Sequence, residues 1–313
     1  MTILLTGAYG FVGTNLSNYL KDHHTLWALD VTKQASEAYS RYFSWKELDD
    51  IIWDDIDTVI HLAGKAHDTK NQSEAQVYFD INTELTKKVF DKFLQSRAKQ
   101  FFFFSSVKAV ADTVEGERLT EDTTPKPVGP YGESKIAAEE YIRKHRAQYT
   151  GEGDRKVYIL RPCMIHGPGN KGNLNLLYKV VSKGIPYPLG DFENKRSFLN
   201  IGNLAYIIEQ FILQNPESGI YHLADDDPIS TNELIELIAE SKGRKKRILK
   251  INRSFVTTMA KIGTACKLPF NLERLQKLTE NYVVSNQKMK QAIRIEKLPV
   301  CVKEGLLQTL KTF

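Results

Sequence analysis

Cysteine is scarce in this 313-residue chain. There are three, Cys163, Cys266 and Cys301, far apart and odd in number. That pattern excludes a disulfide framework and a cysteine-built metal centre, and it points to a reducing, cytoplasmic setting. Also missing is any apolar run approaching the ~18–20 residues that a membrane-spanning helix needs, as are internal repeats and low-complexity tracts. The first apolar segment starts at Thr2, so no signal peptide is expected. The excess of charge is small: 43 lysines and arginines against 38 acidic residues, for a net +5. It suits an anionic small molecule and falls short of what nucleic acid demands. What is present is ample apolar residue, 42%. That is enough for a sizeable core in one large or two closely joined domains.

Short apolar, β-branched or aromatic runs at 3–5, 25–29, 58–63, 100–104, 157–160 and 220–223 read as buried strands. Segments 11–21, 73–97 and 131–149 between them carry helical patterning. In the first, Phe11, Val12, Leu16, Tyr19 and Leu20 fall near one face. Strands alternating with helices imply the α/β class, a doubly wound parallel sheet covered on both faces. Such sheets bind ligands beyond the carboxyl ends of their strands. The second half is less regular, with helices expected at 173–183, 201–213 and 231–241, the last capped by Thr231. The run 101–104, four phenylalanines, reads as core.

Gly7-Ala8-Tyr9-Gly10-Phe11-Val12-Gly13 lies between the first strand and the first helix. Its G-x-x-G-x-x-G spacing is one residue looser than the common dinucleotide fingerprint. The strand–turn–helix context still lets the backbone approach a pyrophosphate at a helix N-terminus. Asp30 ends the second strand, where a carboxylate accepts hydrogen bonds from the adenosine ribose and repels a 2′-phosphate. NAD is therefore favoured over NADP. Leu62, Ala63 and Gly64 close the 58–63 strand with small residues that let a cofactor pass near the backbone. His61 before them reads as a packed strand histidine.

Tyr131 and Lys135 are four apart at the start of a helix, hence on one face. A phenol with a pKa of about 10 is a poor base at neutral pH. A nearby ammonium and an oxidised nicotinamide both favour its phenolate. Ser105 and Ser106 end the 100–104 strand, where a hydroxyl can meet the reacting sugar oxygen.

Together these residues resemble the extended short-chain dehydrogenase/reductase family, the NAD-dependent nucleotide-sugar epimerases and dehydratases. The resemblance spans essentially the whole chain, from the glycine loop and Asp30 through Asn82, Ser105-Ser106, Tyr131/Lys135 and Arg161-Pro162 to 166–169 and 195–198. It implies a Rossmann-type NAD-binding domain at 1–162, with 198–224 returning to it. A smaller substrate-binding lobe would comprise 163–197 and 225–313. By that resemblance Ser106, Tyr131 and Lys135 are the catalytic triad. Asn82, Ser105 and Pro162 line the cofactor with the glycine-loop residues, and Asn173 and Arg196 hold the substrate, Arg196 at its diphosphate. No metal is implied. The loop with Asn170, Lys171 and Gly172 looks like that of enzymes acting on UDP-sugars in surface-polysaccharide synthesis.

The resemblance implies a C4 epimerase of a UDP-hexose or UDP-N-acetylhexosamine working through a 4-keto sugar, and by analogy a homodimer through the helix bearing Tyr131. A 4-ketoreductase consuming reduced cofactor uses the same triad. A cofactor-binding regulatory protein without catalysis is a third reading, and the intact triad argues against it. Family 4,6-dehydratases carry an Asp-Glu pair after the triad hydroxyl. Val107-Lys108 stands there instead, which argues against elimination. The basic run 244–247 is read as a solvated turn, the run 225–227 as a loop without metal-ligand spacing, and Cys163 as unmarked for nucleophilic work.

Overall fold

The computed structural model describes residues 1–66, 74–148, 155–170, 172–268 and 270–313; the side chains of 147, 148 and 173 also fall outside the description. Expectations resting on Lys171 and on the Asn173 side chain therefore lie outside the described residues.

Among the described residues nine strands run in chain order: β1 Thr2–Thr6, β2 Thr25–Asp30, β3 Arg41–Ser44, β4 Thr58–His61, β5 Gln100–Phe104, β6 Lys156–Pro162, β7 Met164–His166, β8 Phe198–Asn200 and β9 Gly219–Leu223. Among the described residues, seven form one sheet in the order β3-β2-β1-β4-β5-β6-β9, every pairing parallel. β7 and β8 pair separately. The order reverses between β1 and β4, and the crevice outside their carboxyl ends is where such sheets take ligands.

Parallel strands buried on both faces need apolar residues on both sides, and β1 and β5 supply them alternately. Leu4, Phe101 and Phe103 enter one core with Val89, Phe90, Phe93 and Ile142. Ile3, Leu5, Phe102 and Phe104 enter the other with Leu16, Leu204 and Phe211. The four phenylalanines are thus core, two to each side. α1 (Phe11–Leu20) covers the face of Ile3 and Leu5, while α2 (Ala75–Phe79), α3 (Leu85–Gln95) and α4 (Gly129–Gln148) group on the other. A π-turn over Asp80–Glu84 joins α2 to α3. Beyond them lie α5 (Asn173–Ser182), α6 (Ile201–Gln214), α7 (Thr231–Ser241), α8 (Arg253–Ala265), α9 (Leu272–Thr279), α10 (Gln287–Ala292) and α11 (Val302–Leu310). α5, α7 and α11 share a separate apolar cluster with Phe198 and Ile229.

Three expectations need correcting. Tyr19 is exposed, its hydroxyl reaching Glu209 at 3.1 Å, because the inward stripe of α1 is Gly13, Leu16, Ser17 and Leu20. Ser230, not Thr231, caps α7, in a reciprocal box with Glu233. The segment 162–172, whose glycines and prolines read as a loop, contains strand β7.

The turn after β1 is sterically fixed. A Cβ on Gly13 would lie 2.4 Å from the Gly7 carbonyl oxygen and 2.6 Å from that of Ala8, whereas one on Gly10 would lie 3.2 Å from the same Gly7 oxygen. Backbone atoms cannot rotate away. Gly13→Ala is expected to cost about 1–3 kcal/mol and Gly10→Ala distinctly less, which comparison of thermal unfolding midpoints checks.

Candidate active site

Three strand exits converge at the crevice. Gly7, at φ +68°, turns the chain after β1 and donates its amide to the Leu29 carbonyl at 2.9 Å. A Cβ there would sit 2.8 Å from the Ala63 nitrogen, so the exits of β1 and β4 touch through backbone. A Cβ on Gly64 would lie 2.9 Å from Asn82 Oδ1 and 3.0 Å from Lys135 Nζ. The small residues after β4 therefore bring the glycine turn and α4 within contact of one another.

No side chain caps α1 at Gly10. The opening amides of Phe11, Val12 and Gly13 are thus available to an anion at the positive end of the helix dipole. Asp30 is oriented by two backbone donors, Tyr9 to Oδ2 at 2.9 Å and Val31 to Oδ1 at 2.7 Å. Each oxygen keeps acceptor capacity for a ribose hydroxyl. Tyr9 is held by its hydroxyl on the Gln34 carbonyl at 2.7 Å and edge-on to Tyr39. A glycine turn, an uncapped helix start and a carboxylate at the end of β2 together fit a dinucleotide. Pro162 ends β6 in register with Leu223, at the same edge of the sheet.

On the chemical side, Tyr131 lies beside the Ser106 hydroxyl, which favours its phenolate, and packs edge-on to Tyr78. Ser106 Oγ also accepts the Lys108 amide at 3.2 Å, fixing the short turn Val107–Ala109. Lys135 is buried, with Nζ donating to the Phe104 carbonyl at 2.8 Å. Tyr131, Lys135 and Ser106 are therefore brought together as the sequence reading requires.

Residues 3–224 match the model of the NAD dependent epimerase/dehydratase family. The chain belongs to that family. A UDP-glucose 4-epimerase of Vibrio cholerae is 31% identical over 251 residues, 76% of this chain and 75% of that protein. An N-acetyl-alpha-D-glucosaminyl-diphospho-ditrans,octacis-undecaprenol 4-epimerase of Escherichia coli O157:H7 is 29% identical over 250 residues, 78% of this chain and 73% of that protein. The solved UDP-glucuronic acid 4-epimerase of Bacillus cereus, in complex with NAD, shares the fold. Its TM-score is 0.74 at 17% identity, with 100% of this chain and 98% of that one covered. The chain is accordingly an NAD-dependent enzyme of the extended short-chain dehydrogenase/reductase group.

Several residues of this family member do work that their positions alone did not announce. Asn82 sits in the π-turn, fully buried. Its amide accepts from Lys65 N at 2.8 Å and donates to Lys65 O at 3.2 Å and Ser134 Oγ at 3.0 Å. It clamps the β4 exit to α4. Ser105 turns inward and donates to Glu139 at 2.5 Å. Glu139 faces Arg161 as well, at 2.9 Å from Nε and 2.5 Å from Nη2, both side chains essentially without solvent contact. His61 is packed between Thr6 and Thr86 hydroxyls at 2.7 and 2.9 Å, and burial pushes its pKa down to about 3. Burial also raises the Cys163 thiol well above its usual range, so it is no thiolate nucleophile. Asp225 and Asp226 are spent on Asn203 and on Lys290.

Arg196 donates to the Lys277 carbonyl and faces Glu280 at 3.8 Å, while its buried Nε has no hydrogen-bond partner among the described residues. Its backbone is bridged to Tyr282, whose ring lies 4.7 Å from Lys108 Nζ. Lys108 is two residues beyond Ser106, so Tyr282 links the Arg196 segment to the turn that follows Ser106. Lys108 itself pairs with Asp112 at 2.7 Å, and Val107 is buried.

Burial raises Tyr131; the Ser106 hydroxyl opposes the rise and Tyr78 adds to it. Burial lowers Lys135 to about 8, and Glu139 partly restores it.

A lysine whose folded pKa is depressed costs stability while it is charged in both states. The cost is full below about pH 8 and vanishes as pH rises toward the unfolded value. Lys135→Met is expected to stabilise the ligand-free protein by about 1–3 kcal/mol at pH 7. That gain should disappear by about pH 10.5 in denaturant titrations. Glu139→Gln strands a buried guanidinium and should cost about 3–5 kcal/mol. It also removes an anion that favours charged Lys135, so the alkaline limb of the activity profile should move to lower pH.

Proposed function

We propose that the chain interconverts the C4 epimers of a UDP-hexose or UDP-N-acetylhexosamine. The observation that carries this reading is the convergence of Tyr131, Ser106 and Lys135 beyond the end of β5, the Ser106 hydroxyl beside the phenol and Lys135 Nζ on the Phe104 carbonyl, with Val107 and Lys108 where elimination would require carboxylates. Ser106 donates to the C4 oxygen, and the Tyr131 oxygen takes the proton of the C4 hydroxyl. Bound NAD supplies the hydride acceptor, and later the donor. The 4-keto sugar turns over within the lobe formed by 163–197 and 225–313. Tyr131 then returns the proton, so the cycle needs no net oxidant. Lys135 holds the nicotinamide ribose, and Arg196, with its spare Nε donor, together with Asn173 holds the diphosphate end of the substrate.

The test is incubation of purified protein, without added NADH, with a panel of sugar diphosphates. UDP-glucose, UDP-N-acetylglucosamine and a polyprenyl-diphosphate-linked N-acetylglucosamine cover the carriers named for the relatives. Conversion to the C4 epimer is expected for one or more. Tyr131→Phe should lower kcat by about 10²–10⁴-fold with bound NAD retained. Strict dependence on stoichiometric NADH would replace the epimerase by a 4-ketoreductase, and unchanged turnover in Tyr131→Phe would remove the proton-transfer role.

A further inference from the structure

Charge is divided unevenly along the chain. Residues 242–278 hold eleven of the 43 lysines and arginines but one of the 38 acidic residues, Glu273. Since the whole chain is only +5, everything outside that segment is net acidic. All eleven basic residues are exposed.

The same segment displays apolar side chains. On α8, Val256, Ala260 and Gly263 face inward, the first two clustering with Leu189 and Leu275. Phe255, Met259 and Ile262, at spacings of four and three, share a second face and are 61%, 47% and 49% exposed. Leu268 and Phe270 continue this exposure toward α9. Beside the basic run, Lys183, Ile185, Arg244 and Arg247 line a hollow. There Arg244 and Arg247 donate to the Ser182 and Gly184 carbonyls, which fixes the guanidinium groups without neutralising them.

We propose that this surface docks on an anionic lipid bilayer, with the α8 face entering the headgroup–acyl boundary and the hollow receiving a lipid phosphate. An amphipathic helix with aromatic and aliphatic residues on one face and lysines and arginines around it has the composition of an interfacial anchor. A second copy of the chain fits worse, since a two-fold contact would set this cationic surface against itself. Nucleic acid would leave the aliphatic stripe without a partner. The surface also borders the cleft. Lys277 on α9 feels the charge of Asp112, which pairs with Lys108 near Ser106. The inference stands independently of which sugar is epimerised.

Co-sedimentation of the full chain with phosphatidylcholine vesicles, and with vesicles containing about 30 mol% phosphatidylglycerol, tests it. Binding to the anionic vesicles only is expected, weakening strongly in high salt. Arg244→Gln combined with Arg247→Gln should lower partitioning by about tenfold or more. Phe255→Ser with Met259→Ser, and separately Ile262→Ser, should reduce it comparably while NAD content and helical signal stay unchanged. Sedimentation no greater with anionic than with neutral vesicles would overturn the proposal. So would failure of vesicle binding together with conversion of a dimer to monomer by the α8 variants, which would make the face a contact between copies.

Discussion

The site depends on the buried pair between Glu139 and Arg161. α4 is rich in polar residues, and a helix of that kind has little apolar patterning to fix its rotation about its own axis. Glu139 lies four residues beyond Lys135 and eight beyond Tyr131, so one helix face carries all three. Pinning the carboxylate to Arg161 on β6 and to Ser105 at the end of β5 aims Lys135 at the Phe104 carbonyl and Tyr131 at Ser106. A well-packed apolar pair could hold the helix against the sheet as firmly. It would not supply the negative charge that keeps a desolvated Lys135 protonated near neutral pH.

A second constraint is steric. The glycine turn, the β4 exit and α4 meet at distances that exclude a Cβ on Gly7, Gly13 or Gly64. Asn82 then locks the arrangement by joining Lys65 to Ser134. Cofactor loop and chemical centre are therefore one rigid assembly, which is what positioning a reactive ring against a sugar carbon demands.

Most of the sheet could be read from the residues, as could the meeting of Tyr131, Lys135 and Ser106, because each has a local signature. Buried parallel strands are short apolar runs, the glycine turn sits between a strand and a helix, and Tyr131/Lys135 have helical spacing. β3 was missed because Arg41–Ser44 is a half-exposed edge strand without an apolar run. The roles of Asn82, Ser105 and Glu139 were missed for another reason: they depend on partners 17 to 52 residues away on a different element. Glu139 did leave a trace, an acidic residue continuing the four-residue rhythm of Tyr131 and Lys135 on a face that must be buried. Arg196 was legible as a cation near the substrate, but its ties to Lys277 and Glu280 join segments more than 80 residues apart.

The electrostatics explain how such a site stays quiescent until it is filled. In the protein alone burial holds Tyr131 in its protonated form, and Lys135 spends its proton on a backbone carbonyl. Neither group is a base, and neither is free to attack water or a chance ligand. The phenol becomes an acceptor only when positive charge is brought against it, since an opposite charge within a few ångströms offsets the desolvation that raises its pKa. Ser106, beside Tyr131, is placed to offer the emerging negative charge a donor. The chain thus bears a destabilising buried lysine and an unreactive phenol as standing costs. Under the proposed epimerase reading both groups would act once cofactor and substrate fill the crevice, the trade expected where activity requires groups that the folded state would be more stable without.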